Sequence, residues 1–154
     1  MVSTIITHPT PNQKIGKNKS FAVELTIANF IPSDETLDSS APQRVDHATG
    51  YVKGHVYVRI ERVAVEALPM GPLDLVYVSR AARVVDSDIS AKGRVGLGVL
   101  VSGGLPRGGR YRACSVATGE GGAPVEMPVL RRGPADDCVW FEVVEDLEAW
   151  EGEL

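Results

Sequence analysis

The chain has 154 residues, a formal net charge of −4 and a pI near 5.4. That length suits one domain, 1–154, able to bury roughly 70% of its unfolded surface. A hydrophobic share of 44% excludes a disordered composition, and an acidic chain without a basic stripe excludes nucleic acid and an anionic membrane surface as partners.

The opening Met1–Pro9 has neither the basic start nor the apolar run of a secretory signal, and no stretch reaches the roughly 18 apolar residues of a transmembrane helix. An intracellular, cytoplasmic protein is therefore expected. Residues 8–20, with Pro9, Pro11 and Gly16, read as an edge strand or lead-in. In 21–28, Phe21, Val23, Leu25 and Ile27 alternate with Ala22, Glu24, Thr26 and Ala28, the period of a half-buried strand. Residues 29–50, rich in Ser, Asp and Pro, read as a long loop at about 30–50, a length that compact domains keep for function or leave disordered. Residues 51–63 form the next strand: Val56, Val58 and Ile60 share one face and His55, Tyr57 and Arg59 the other.

Residues 68–72 read as a turn and 73–79 as a short strand, with Leu73, Leu75 and Tyr77 on one side. Residues 80–93 read as a short helix or a loop. In 94–102, Val95, Leu97, Val99 and Val101 alternate with polar or small partners. Leu105-Pro106 followed by Tyr111 has the spacing of a tyrosine corner, feeding a strand over 111–117. A glycine-rich turn at 119–123, a strand at 124–130 broken by prolines, and a last strand at 138–144 complete the series. The acidic tail from about 145 reads as a short helix bearing Leu147 and Trp150, able to dock on a second copy of the chain as a homodimer. About seven short strands with turn signals between them predict an all-β, Greek-key, immunoglobulin-like β-sandwich.

Catalytic motifs are scarce. The glycine runs at 96–98, 103–109 and 119–122 lack the spacing of phosphate loops and read as turns. No nucleophile elbow is present, and His55 would meet Ser79 or Ser115 only through the fold. Asp136-Asp137 follows Gly133-Pro134 and reads as an Asx turn rather than an acid pair. Arg131-Arg132 reads as solvated. Cys114 and Cys138 read by default as two buried thiols, with a disulfide as the alternative. They form no metal-ligand spacing with His8, His47 or His55, so no metal is expected.

The remaining constellation is His55, Tyr57 and Arg59. It reads either as the wet face of a strand or as a pocket wall. As a wall it offers an imidazole that exchanges protons near neutral pH, a phenol and a planar cation. Tyr77, Arg112 and Trp140 are residues of the same kind in other strands, and they join the candidate set as substrate-binding groups.

Several stretches, taken in order, resemble a fungal family of small β proteins, most of them secreted. They are Phe21-Ala-Val-Glu-Leu-Thr-Ile-Ala-Asn29, Ala41-Pro42-Gln43, Gly54-His55-Val56-Tyr57-Val58, Pro72-Leu73-Asp74, Gly103-Gly104-Leu105-Pro106 with Tyr111-Arg112, Pro124-Val125, and Asp136-Asp137-Cys138-Val139 with Phe141. This chain differs in lacking a secretion signal, in holding Tyr57 where many members have a second histidine, and in holding Val76-Tyr77-Val78-Ser79-Arg80 where many have a Phe-rich segment. Copies altered in this way are similar to the hetero-Diels–Alderases of tropolone–sesquiterpene clusters. That resemblance implies small-molecule substrates, a tropolone ortho-quinone methide and a humulene-type sesquiterpene alkene. It implies no cofactor, His55, Tyr57 and Arg59 as catalytic hydrogen-bond donors, and His55 as the general acid. The alternative it leaves is a non-enzymatic cell-wall or surface-associated β-sandwich protein.

Overall fold

A computed structural model of the chain describes residues 2–33, 43–46, 48–63, 74–84, 93–125 and 136–145. The strands are β1 (Ser3–His8), β2 (Gln13–Gly16), β3 (Phe21–Ala28), β4 (Phe30–Pro32), β5 (Arg44–Val45), β6 (Val52–Val63), β7 (Asp74–Arg80), β8 (Ala82–Arg83), β9 (Arg94–Val101), β10 (Gly109–Gly119) and β11 (Cys138–Val144). One sheet has the order β1-β3-β9-β8. The other runs β2-β11-β10-β6-β4, with β5 and β7 also paired to β6. The two sheets form the sandwich that the alternation predicts.

The core follows from period two. Val23, Leu25 and Ile27 of β3 face Val56, Val58 and Ile60 of β6, all at 0–1% exposure. Burying each such side chain contributes roughly 1.5–3 kcal/mol. Phe141 packs between Phe21 and Tyr111, at 5.7 Å from each ring. The tyrosine corner is present: the Tyr111 hydroxyl donates to the Arg107 carbonyl at 2.5 Å, and Tyr111 is 1% exposed. Tyr111→Phe keeps the ring and leaves that carbonyl unpaired, so it is expected to lower unfolding stability by about 1 kcal/mol, read by urea denaturation.

Two expectations need correction, at residues 82–83 and at the cysteines, and one strand, β1, goes beyond the sequence reading. β1 is a full strand, paired with β3 from Ser3↔Ala28; its alternation of Thr4 and Ile6 with Ser3 and Ile5 is too short to stand out in the sequence. Residues 82–83 are a strand, not a helix, because they extend the β9 edge. Cys114 and Cys138 are joined in a disulfide rather than held as thiols. They are register partners on β10 and β11, which brings their Cα atoms to 4.1 Å. Of the predicted strand at 124–130, the described part holds a single bridge, Thr118↔Pro124. His47, Arg131-Arg132 and the tail with Leu147 and Trp150 lie outside the described residues.

Candidate functional site

The outward face of the larger sheet carries the candidate set. Along β6 the outward positions are His55, Tyr57, Arg59 and Glu61. Their partners on β10 are Thr118, Val116, Cys114 and Arg112. Beyond β10, Arg112 pairs with Trp140 of β11. Five of the six predicted residues thus share one surface. Tyr77 does not: the β6–β7 register pairs it with the inward-facing Ile60, so it packs against the core, with its hydroxyl donating to the Leu100 carbonyl at 3.4 Å.

His55 is not wet surface. It is 3% exposed, and neither ring nitrogen has a hydrogen-bond partner. Its backbone is fixed: Thr118 Oγ1 donates to its carbonyl at 3.3 Å. The preceding Gly54 runs so close to β10 that an added Cβ would sit 1.8 Å from the Thr118 oxygen. Only glycine allows that approach. A buried polar group without a partner costs about 1–3 kcal/mol, so the free imidazole needs a functional account. Tyr57 meets it edge-on, with ring centroids 6.4 Å apart. On its other side the Tyr57 hydroxyl accepts from Arg80 Nη2 at 3.4 Å, and the Arg80 guanidinium lies 5.8 Å from the ring centre.

Arg59 and Arg112 converge on one carboxylate. Arg112 Nη2 donates to Glu61 Oε2 at 2.7 Å, and Arg59 Nη2 lies 3.4 Å from Oε1. Glu61 was not among the predicted residues, although it continues the 55, 57, 59 alternation by one step. Trp140 lies between guanidiniums, with Arg110 at 5.5 Å and Arg112 at 5.8 Å from its ring centre. Beside it is a cleft of about 440 Å³, lined by Pro11, Asn12, Val63, Arg110, Cys138 and Trp140.

The surface is long. Trp140 and Arg112 stand level with Glu61, six residues along β6 from His55. At roughly 3.3 Å per residue that is about 20 Å, so one small molecule cannot touch both ends. The structure therefore divides the predicted set. His55 and Tyr57 stand at one end and Arg112 and Trp140 at the other, with Arg59 between them and sharing Glu61 with Arg112.

The other candidates have structural roles. Ser79 and Ser115 pair with Val58 of β6 and so share the inward face, opposite His55; no Ser–His pair forms. Asp136 accepts from the Ala117 N–H at 2.8 Å, and Asp137 from the Ile6 N–H at 2.8 Å. The two aspartates tie different strands instead of forming an acid pair. Burial pushes the Asp136 carboxyl above its usual range, opposed by the bonds from Ala117 and Ser115. Among the described residues no three His, Cys, Asp or Glu side chains gather as a metal site. A cluster with no sequence signal is Glu120, whose carboxylate accepts from Arg44 Nε at 2.5 Å, Arg44 Nη2 at 2.8 Å and Ser33 Oγ at 2.5 Å.

These features define a disulfide-linked β-sandwich domain with a polar, aromatic outer face. The chain belongs to the family of CLU5d N-terminal domains, whose family model matches residues 4–144. It is 36% identical over 148 residues to "Pathogenicity cluster 5 protein d" of Colletotrichum graminicola, covering 93% of this chain and 30% of that protein. The chain thus spans about a third of that relative's length, and the relationship to a fungal protein agrees with the sequence resemblance. A solved β-glucosidase from Listeria innocua in complex with glucose overlaps 93% of this chain and 16% of its own, at 12% identity and a TM-score of 0.41. That likeness is too loose to carry an argument about fold or function.

Proposed function

We propose that this domain is a cofactor-independent pericyclase of fungal secondary metabolism, a hetero-Diels–Alderase that adds a tropolone ortho-quinone methide to the alkene of a humulene-type sesquiterpene. The observation that carries the reading is His55: a buried imidazole with both nitrogens unspent, on the same strand face as Tyr57 and Arg59. A buried, pre-set donor group beside a phenol and a guanidinium suits an oxygen that gains negative charge in the transition state. The relative's name, which places it in a pathogenicity cluster, is compatible with a product of clustered biosynthesis.

In this reading a hydroxymethyl tropolone first loses water. The carbon–oxygen bond breaks as His55 delivers a proton to the leaving hydroxyl, and the ring hydroxyl gives up its own proton to leave the quinone methide. The exocyclic carbon and the ring oxygen of that species then bond to the two alkene carbons, closing a dihydropyran with no change of redox state. Tyr57 and Arg59 hydrogen-bond the quinone methide oxygen and deepen its electron deficiency. Arg59 shares only one contact with Glu61, at 3.4 Å, and is 44% exposed, so most of its donors stay available. Holding the two partners in an attack pose supplies up to about 10 kcal/mol. Two bulky apolar substrates exceed what one open sheet face encloses, and a homodimer is the proposed way to cover them.

One observation favours a second reading, a non-enzymatic surface-associated protein. The Cys114–Cys138 disulfide is the chemistry of oxidising compartments. Incubation with a hydroxymethyl tropolone and a humulenol separates the two. The expected result is product formed faster and with a different stereochemical ratio than without protein, and His55→Ala slower by at least about tenfold. The same rate and ratio with and without protein leaves the second reading standing. Unchanged turnover in His55→Ala with Tyr57→Phe moves the site elsewhere.

A further inference from the structure

We propose that the cleft beside Trp140 is a second small-molecule site, built for a planar aromatic carboxylate and separate from the His55 group. The inference does not depend on the pericyclase reading: Trp140 stands about 20 Å along the sheet from His55, and none of His55, Tyr57 and Arg59 lines the cleft.

The walls of the cleft are fixed before any ligand arrives. Its Pro11–Asn12 side is a tight turn: the Gln13 N–H donates to the Thr10 carbonyl at 3.0 Å, and Gln13 Oε1 accepts from the Thr10 N–H at 2.9 Å. Asn12, at a φ of 62°, donates its N–H to the Trp140 carbonyl at 2.7 Å. On the far side Cys138 is held to Cys114 by the disulfide. Val63 forms part of the floor and is 5% exposed although it lies on the outward face. A rigid apolar slot of about 440 Å³ falls within the size range of ligand pockets, roughly 300–1,000 Å³.

Charge selects the ligand. Among the described residues Arg110 has no carboxylate in ion-pair range, and its one contact is the Trp140 ring at 5.5 Å. Its neighbours are already engaged: Arg112 bonds Glu61 at 2.7 Å, and the Glu142 carboxylate opposite Arg110 is taken by Lys14 at 2.9 Å. A guanidinium free to offer two parallel donors, at the rim of an aromatic slot, matches an aryl carboxylate: the ring against Trp140, the carboxylate on Arg110. Two guanidiniums flanking the indole repel a cationic ligand, which excludes the ammonium recognition that exposed tryptophans otherwise serve.

The test uses 2-naphthoate and its neutral counterpart 2-naphthalenemethanol, titrated calorimetrically and followed by amide chemical shifts. Naphthoate is expected to bind at least about tenfold more tightly than the alcohol, with shifts at residues 11–12, 63, 110 and 138–140. Arg110→Met is expected to abolish that preference while leaving the alcohol's affinity unchanged, and Arg110→Lys to restore part of it. Trp140→Leu is expected to weaken both ligands. Equal affinity for the two probes, a preference that survives Arg110→Met, no binding at ~1 mM, or shifts centred on His55 would each overturn the assignment.

Discussion

Removing the Cys114–Cys138 bond is expected to lower unfolding stability by about 3.5 kcal/mol, from the loop-closure entropy of the segment it closes. The two cysteines are 24 residues apart in sequence. The native ladder hardly needs the bond: β10 and β11 are already in register from Gly109↔Val143 to Cys114↔Cys138. The disulfide therefore acts mainly on the unfolded chain, restricting a loop that reduction would set free. Urea denaturation of the oxidised protein, the reduced protein and the Cys114→Ala/Cys138→Ala variant measures this directly. The last two should agree with each other and show a lower midpoint and a steeper denaturant dependence, since their unfolded state is more expanded. A loss below about 1 kcal/mol would mean that the ladder alone fixes this end of the sheet. The result also bears on the choice of function. A domain that depends on this bond suits an oxidising compartment.

The strands were legible wherever period two ran for four or more turns of alternation, as in Phe21–Ala28 and Arg94–Val101. The tyrosine corner was legible because its three residues are local in sequence. Face assignment within β6 was also legible, since alternation alone puts His55, Tyr57 and Arg59 together. What the sequence could not supply was anything set by register between strands. The register of β6 with β7 sets Tyr77 opposite the inward Ile60. Pairing of β10 with β11 brings the cysteines together and places Trp140 level with Glu61 rather than with His55. The burial of His55 to 3% exposure is likewise a tertiary fact that alternation along β6 does not announce. A set of six residues that one pocket would have explained became two ends of one face, with different neighbours, and an inward Tyr77.

Glu120 supplies the second large expected effect, and it too rests on contacts no local pattern announces. Its side chain is 1% exposed, whereas that of Arg44, which covers it, is 42% exposed. The hydrogen bonds from Arg44 hold the carboxyl at about 2, well below its ordinary 4.5, against the opposing effect of burial and with help from Ser33. The full drop would correspond to about 3 kcal/mol at neutral pH, and solvent screening around the half-exposed Arg44 brings the expected contribution to about 2 kcal/mol. Because the folded value is depressed, this stability is present above the unfolded value of 4.5 and is lost as pH falls toward 2. Asp136 acts in the opposite sense. Its folded value is raised above 3.8, so its protonation favours the fold as pH falls and opposes the loss at Glu120. The wild-type stability should therefore fall with acidification below about 4.5, less steeply than Glu120 alone would give. In Glu120→Gln that acid limb should flatten. Arg44→Met should be the more damaging change at neutral pH, because it leaves a carboxylate covered and unpaired. An Arg44→Met protein as stable as wild type at pH 7, with an unchanged acid limb, would show that Ser33 and solvent suffice for this carboxylate. The pair also joins the two described ends of the 34–42 segment, Ser33 before it and Arg44 after it, to the end of β10 two residues from Thr118, the partner of His55. If the latch positions the candidate site, Glu120→Gln should alter the His55 ring environment in nuclear magnetic resonance spectra at pH 7, where the fold itself is intact.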